Sequence, residues 1–247
     1  MHLLALDTTT RDGSVALLTD GHVIAEERGD SARTHAERLP AELLQLLQPR
    51  GLAIADVGLF AVASGPGSFT GLRIGIATIQ GLALASGRSM VAVSALEALA
   101  DCAAQRAGAE TIVAAWMDAH RHEVFGALYR VGPAGLVDEL VGPTVGPPVA
   151  TLERWAEHLD HSPLLFIGDG ALLYRSVLEE RVPAAVVADL PLLAGAIGRV
   201  ATRRARDGAI IHPAAVQPLY VRRPDAELAR EHARTHESAA KSLRTRS

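Results

Sequence analysis

The sequence predicts a duplicated α/β fold whose two lobes enclose a cleft, and three observations carry that prediction. Residues 3–18, LLALDTTTRDGSVALL, read as an apolar strand ending at Asp7, a polar turn and a second apolar strand. Residues 113–128, VAAWMDAHRHEVFGAL, repeat the plan with Asp118 in the matching place. In each copy a later strand runs into a glycine loop and a helix, LFAVASGPGSFTGLRIG in the first and LLFIGDGALLYRSVL in the second. Acid and glycine loop are similarly spaced in both halves, which places the two acid-bearing hairpins toward one cleft. Internal repetition of this kind outranks any local motif.

Composition narrows the class. A length of 247 residues allows one large domain or two small ones. With 49% hydrophobic and only 21% charged residues the chain is globular rather than disordered. Aromatics contribute only 4%, so the core is built mainly of Ala, Val, Leu and Ile. The formal charge is −4, and the basic residues gather toward the end of the chain, in RRAR at 203–206 and beyond Arg222. A body that gripped nucleic acid through phosphates would need a basic face, so direct RNA binding is not expected. The single cysteine, Cys102, excludes an intrachain disulfide and a multi-cysteine zinc site, and its run ALEALADCAAQ makes it a small buried residue. The first strand starts at the third residue, which leaves no room for a signal peptide, and no apolar stretch reads as a membrane span. A cytoplasmic location is the expectation.

The elements follow in order. The turn Asp20-Gly21 leads to a third strand, HVIAEERG. In THAERLPAELLQLLQPRG, Leu39, Leu43, Leu44 and Leu47 recur at helical spacing, and Pro49 with Gly51 stops the run. Residues 57–63 are continuously apolar, as a buried parallel strand should be. The loop SGPGSFTG opens a helix from about Thr70 to Ser86, then MVAVS forms a short strand. Ser94-x-x-Glu97 predicts a capping box at the start of the next helix. The second copy occupies roughly 111–200, with VGPAGLVDELVGPTVGPPVA between its halves read as short strands and a connecting loop. LLAGAIGRVATRRARDG gives the last helix, ended by glycine. AAVQPLYVRRPDAEL holds one extended stretch, and a polar tail completes the chain. The expected organisation is a first lobe over 1–110, a second over 111–230 and a tail over 231–247.

Three features could carry chemistry. Asp7-Thr8-Thr9-Thr10 places a carboxylate and hydroxyls in a tight turn, fit either to hold a metal-bound water and a phosphate or to make local side-chain turns. In Ser64-Gly65-Pro66-Gly67-Ser68-Phe69-Thr70-Gly71 the glycines would let backbone N–H groups converge on an anion at a helix start, or would let two segments approach closely. The loop lacks the lysine of a P-loop and the G-x-G-x-x-G spacing. Gly168-Asp169-Gly170 is a shorter version. The third feature is the helix itself, where Arg73 is the only charge between Leu72 and Ser86. Leu72, Ile76, Ile79 and Ala83 form one stripe; Ile74, Thr78, Gly81 and Ala85 form another. A helix without a polar side is buried on both sides. Either a partner helix docks there, with Gly81 allowing close approach, or the second lobe covers it. The histidines 120, 122, 158 and 161 match no zinc-binding spacing, and neither a G-x-S-x-G elbow nor a base for Ser68 is present.

With these residues in hand, the chain resembles the bacterial TsaB (YeaZ-type) family, accessory proteins of tRNA threonylcarbamoyladenosine biosynthesis. The resemblance rests on LALDTTT, HAERLP at 35–40, SGPGSFTGLRIGIATIQGLA at 64–83, MDAHRHEVFGALY at 117–129 and PLYVRRPDAE at 218–227. It implies a duplicated actin-like/Hsp70-like ATPase (ribonuclease H-like) fold and a non-catalytic role beside the catalytic TsaD subunit, joined by a TsaE-type ATPase. That assembly transfers a threonylcarbamoyl group to N6 of adenosine 37 in tRNAs reading codons that begin with A. The TsaD metal is gripped by paired histidines on a helix, and SALEALADCAAQ has none, so no catalytic or metal residue is carried over. The expected partner face comprises Leu39, Leu43, Leu47, Leu72, Arg73, Ile74, Thr78, Gly81 and Ala85, with self-association as a homodimer when TsaD is absent. Candidate nucleotide or phosphate contacts are Asp7, Thr8, Thr9, Gly65, Gly67, Ser68, Asp118, Gly168 and Gly170. ATP or ADP and magnesium are expected at most in the complex, and tRNA only through it. The competing reading is a nucleotide-dependent phosphotransferase or hydrolase using Asp7 and Asp118 around magnesium. A metallopeptidase finds no ligand set.

Overall fold

The computed structural model describes residues 1–159 and 163–222. The polar tail, Asp160 and His161 lie outside the described residues. The first half forms β1 (His2–Asp7), β2 (Ser14–Thr19), β3 (His22–Arg28), α1 (His35–Leu47), β4 (Val57–Gly65), α2 (Phe69–Ala85), β5 (Met90–Ser94) and α3 (Ala95–Ala104). The second forms β6 (Ile112–Asp118), β7 (Val124–Val131), β8 (Val137–Gly146), α4 (Pro148–Leu159), β9 (Leu164–Ile167), α5 (Asp169–Leu173), α6 (Arg175–Arg181), β10 (Val186–Val187) and α7 (Ala194–Arg206).

The duplication is visible in the sheets. The first has the order β3-β2-β1-β4-β5 and the second β10-β9-β6-β7-β8, which is the same order with corresponding strands. Each sheet starts with an antiparallel hairpin, Asp7 opposite Ser14 in one and Asp118 opposite Val124 in the other. Each then adds parallel strands beside the acid-bearing one, β4 against β1 and β9 against β6. This repeated mixed sheet is the duplicated actin-like fold. The inner strands are apolar on both faces because helices cover both sides.

The helices are exchanged between the lobes. α3 follows the first sheet yet packs on β6 and β7, while α7 follows the second sheet and packs back on β1 and β2. Both belong to one core cluster that joins Leu3, Ala16 and Val93 to Val113, Ala127 and Tyr129. Small residues make this sandwich close: a Cβ on Gly198 would lie 2.2 Å from Leu18 Cδ1. Polar contacts lock it, with Asp101 of α3 held by Arg199 and Arg203 of α7, and Glu97 by Arg204.

Local expectations hold with instructive exceptions. α1 forms over the predicted leucine stripe, and it opens on a capping box in which the Glu37 carboxylate accepts from both Thr34 N and Thr34 Oγ1. The rest of HAERLP pins α1 to the β1–β2 turn: the His35 ring meets the Thr10 carbonyl, and buried Arg38 donates to the Asp12 carbonyl and to Glu42. Ser94 does precede α3, but no capping box forms there. Its Oγ has no partner, and Glu97 turns away to pair with Arg204 of α7. The segment expected as short strands and a loop is one long strand, β8, in which Pro143 is tolerated because β8 is the edge of its sheet.

Candidate functional site

The cleft between the lobes brings Asp7 together with Asp169, not with Asp118. Their surroundings include Thr10, Ser14, Met117 and Leu190–Leu193, and the void between them is ≈ 20 Å³, room for about one water. Asp7 is buried, its Oδ1 accepting from Thr9 N at 2.9 Å and Thr9 Oγ1 at 2.7 Å. Burial pushes its carboxyl up from the usual range, against the lowering effect of those hydrogen bonds. Asp169 is likewise raised by burial, although its Oδ1 accepts from Asp118 N and Gly170 N. Asp118 instead closes a surface turn, accepting from His120 N and pairing with the exposed His120 ring. Sequence reasoning passed over Asp169 as part of a weak glycine loop; its position right after a parallel strand, as the counterpart of the first loop, was the available signal.

The glycine loops serve close packing. A Cβ on Gly67 would lie 2.6 Å from Thr9 Cβ, one on Gly71 2.2 Å from the Thr8 carbonyl oxygen, and one on Gly75 2.1 Å from Thr8 Oγ1. In the second lobe a Cβ on Gly168 would lie 2.0 Å from the Trp116 carbonyl oxygen, and one on Gly170 2.8 Å from Met117 C. Both loops therefore press their helix onto the acid-bearing strand. Donors are consumed internally: Ser68 N donates to the Thr9 carbonyl, and Gly71 N to Ser68 Oγ. Gly65 lies beneath the Leu219 carbonyl, whose residue donates its N–H to the Ser64 carbonyl. At the other wall, Ala194 N and Gly195 N at the start of α7 donate to Ser14 Oγ and Glu26 Oε1. Around Asp7 and Asp169 the void has room for about one water, and Ser68 N and Gly71 N of the first glycine loop are already engaged. Among the described residues no three His, Cys, Asp or Glu side chains gather to hold a metal ion.

The surface of α2 is different. Leu72, Ile76, Ile79 and Ala83 face the sheet and are buried. Ile74 and Thr78 are half-buried, while Arg73, Ala77, Gly81, Leu84 and Ala85 are exposed. The expected partner face is corrected at four positions. Leu39, Leu43, Leu47 and Leu72 are no more than 3% exposed, because they fill the core between α1, α2 and the first sheet. The outward leucine of α1 is Leu44, 45% exposed.

Among the described residues the second sheet and its helices do not cover α2, but residues 213–222 run along one flank. Gln80 Nε2 donates to the carbonyls of Pro213 and Val216, Val216 is buried in the first-lobe core, and Tyr220 stacks on Phe69 at 5.3 Å. Arg222 then reaches the second lobe, donating to the Ala119 carbonyl at 2.7 Å and pairing with Glu123. This strap therefore touches both lobes. Between it and α2 lies a groove of ≈ 590 Å³.

Burial pushes the Cys102 thiol up to about 12, which disfavours the thiolate. No helix among the described residues is long and apolar enough to cross a membrane.

Two like-ordered sheets with exchanged helices define a protein of the actin-like fold. The family described as "TsaD: tRNA N6-adenosine threonylcarbamoyltransferase" matches residues 24–229. The TsaB protein of Escherichia coli is 40% identical over 136 residues, covering 55% of this chain and 58% of that protein. The TsaB protein of Bacillus subtilis is 32% identical over 182 residues, covering 73% of this chain and 76% of that protein. The solved structure of YeaZ from Pseudomonas aeruginosa is 35% identical, with a TM-score of 0.74 over 89% of this chain and 99% of that one. The match thus spans little more than half the length of the E. coli relative. The chain belongs to the TsaD family and is of the TsaB (YeaZ) type within it.

Proposed function

We propose that this chain is a non-catalytic partner and activator of a TsaD-type subunit. The assembly adds a threonylcarbamoyl group to N6 of adenosine 37 in tRNAs reading codons that begin with A. The names of the TsaB relatives supply the pathway. The observation that carries the role is the outer face of α2, where Ala77, Gly81, Leu84 and Ala85 stand open to solvent without a charge among them. Such a face is suited to a second helix at close approach. The absence of histidine from α3 favours an accessory role over a second catalytic one.

In this reading a TsaE-type ATPase completes the assembly, ATP or ADP and magnesium act on the other subunits or at their junction, and tRNA is held by the complex. The same α2 face pairs two copies of this chain when the TsaD-type subunit is absent, and the protein works in the cytoplasm. The test is reconstitution of tRNA modification from TsaD-type and TsaE-type subunits with and without this chain. Modification should require the chain and should be lost with Gly81→Arg, since Gly81 has open space around it and the substitution leaves the fold intact. Equal modification without the chain, or with the folded Gly81→Arg variant, rejects the proposal.

A further inference from the structure

Resting on the partner reading above, we propose that Arg73 is a pre-set anchor for one carboxylate of the TsaD-type subunit, and that the strap of residues 213–222 forms part of the docking surface. The guanidinium of Arg73 lies 4.0 Å from the Phe69 ring centroid, and its Nε donates to Tyr220 Oη at 2.9 Å. Phe69 and Tyr220 stack on one another with 29° between their planes. One face of the guanidinium and its Nε are thus fixed by a residue of α2 and a residue of the strap. The two terminal nitrogens remain, and among the described residues no carboxylate pairs with them.

Several arginines elsewhere are paired with carboxylates inside the fold: Arg38 with Glu42, Arg199 and Arg203 with Asp101, Arg222 with Glu123. Arg73 alone carries charge on α2, at the lip of a groove whose other walls mix apolar Ile76, Leu84, Val216 and Pro218 with the uncharged polar Gln80 and Gln217. A rigid planar fork beside apolar surface suits a bidentate carboxylate in a desolvated interface. A phosphate backbone would need several cations along its path, and this face offers one. The occupant is therefore a small-residue helical face of the TsaD-type subunit whose one charge is an Asp or Glu opposite Arg73.

The experiment measures the dissociation constant of the full chain with purified TsaD-type subunit by calorimetry, at about 50 and about 300 mM salt. Arg73→Met should weaken binding about tenfold or more and flatten its salt dependence. Tyr220→Phe keeps the ring but removes the acceptor, and should weaken binding about threefold. Thermal melting checks that each variant folds. Wild-type affinity in Arg73→Met, while Gly81→Arg abolishes binding, overturns the anchor and leaves the partner reading standing. Undiminished binding by Gly81→Arg rejects the partner reading itself. If Arg73→Met lowers binding of tRNA and not of the subunit, Arg73 faces phosphate and the inference fails.

Discussion

Asp101 to asparagine should be among the most damaging single polar changes in this molecule, because one buried carboxylate ties the exchanged helices together. Asp101 is 0% exposed; Arg199 Nη2 reaches Oδ2 at 2.6 Å and Arg203 Nη2 reaches Oδ1 at 2.6 Å. Asparagine keeps the shape but removes the charge and turns an N–H₂ toward a guanidinium. Removing one partner of a buried ion pair costs about 3–5 kcal/mol. Here the arginine side chains retain 25% and 33% exposure, so water recovers part of the loss and the lower end, about 3 kcal/mol, applies. For a chain of this size that lowers Tm by about 6–12 °C. Urea unfolding followed by circular dichroism measures it, with the midpoint falling and the slope unchanged if both lobes still unfold together. Glu97→Gln provides the control: Glu97 is 20% exposed and Arg204 38%, so its loss should cost about 1 kcal/mol or less. A loss below about 1 kcal/mol for Asp101→Asn, or a larger loss for Glu97→Gln, would refute the inter-lobe clamp.

Gly81→Ala separates folding from docking. It fills open space in a helix interior, so the isolated chain should gain about 0.5–1 kcal/mol while affinity for the TsaD-type subunit falls, as melting and calorimetry would show. Gly71→Ala drives a methyl into the Thr8 carbonyl and should cost about 1–3 kcal/mol in urea titration. The raised carboxyl of Asp7 means that its ionisation opposes folding: stability is lost as pH climbs through the folded-state value. Asp7→Asn should therefore be more stable than the parent at neutral pH and equal to it at strongly acid pH, read from unfolding midpoints across pH. His35 has the opposite sign. Burial first, and then Arg38, whose Nη2 lies 2.7 Å from Nδ1, hold its ring below the ordinary 6.5, against the raising effect of the Thr10 carbonyl that Nε2 meets. Stability from neutral His35 is full above pH 6.5 and declines as pH falls toward the folded-state value, a segment that His35→Gln should lack.

Patterns that depend only on neighbours along the chain were legible before any coordinates. The continuous apolar runs marked the strands, the leucine spacing marked α1, and the repeated acid-bearing hairpin marked the duplication. The candidate sites were less legible, because a residue's type does not say which face it turns. Leu39, Leu43 and Leu47 share a helical stripe that would suit a partner equally well; the sheet beneath took it. Asp118 matches Asp7 in its hairpin, yet Asp169 reaches the cleft void, since the turn after β6 carries the Asp118 carboxylate outward to His120.

By itself the sequence determined the repeated strand-turn-strand units, the apolar character of α2 and the family, each set by short-range order and composition. Only the tertiary structure decided that α3 and α7 trade lobes, that glycines 67, 71 and 75 exist to let α2 rest on Thr8 and Thr9, and that residues 213–222 strap one flank of that helix. Those outcomes hang on contacts between segments far apart in the chain, such as Arg73 with Tyr220 and Asp101 with Arg203. Their energy comes from burial and pairing that exist once the lobes have closed, so no local reading of either segment contains them.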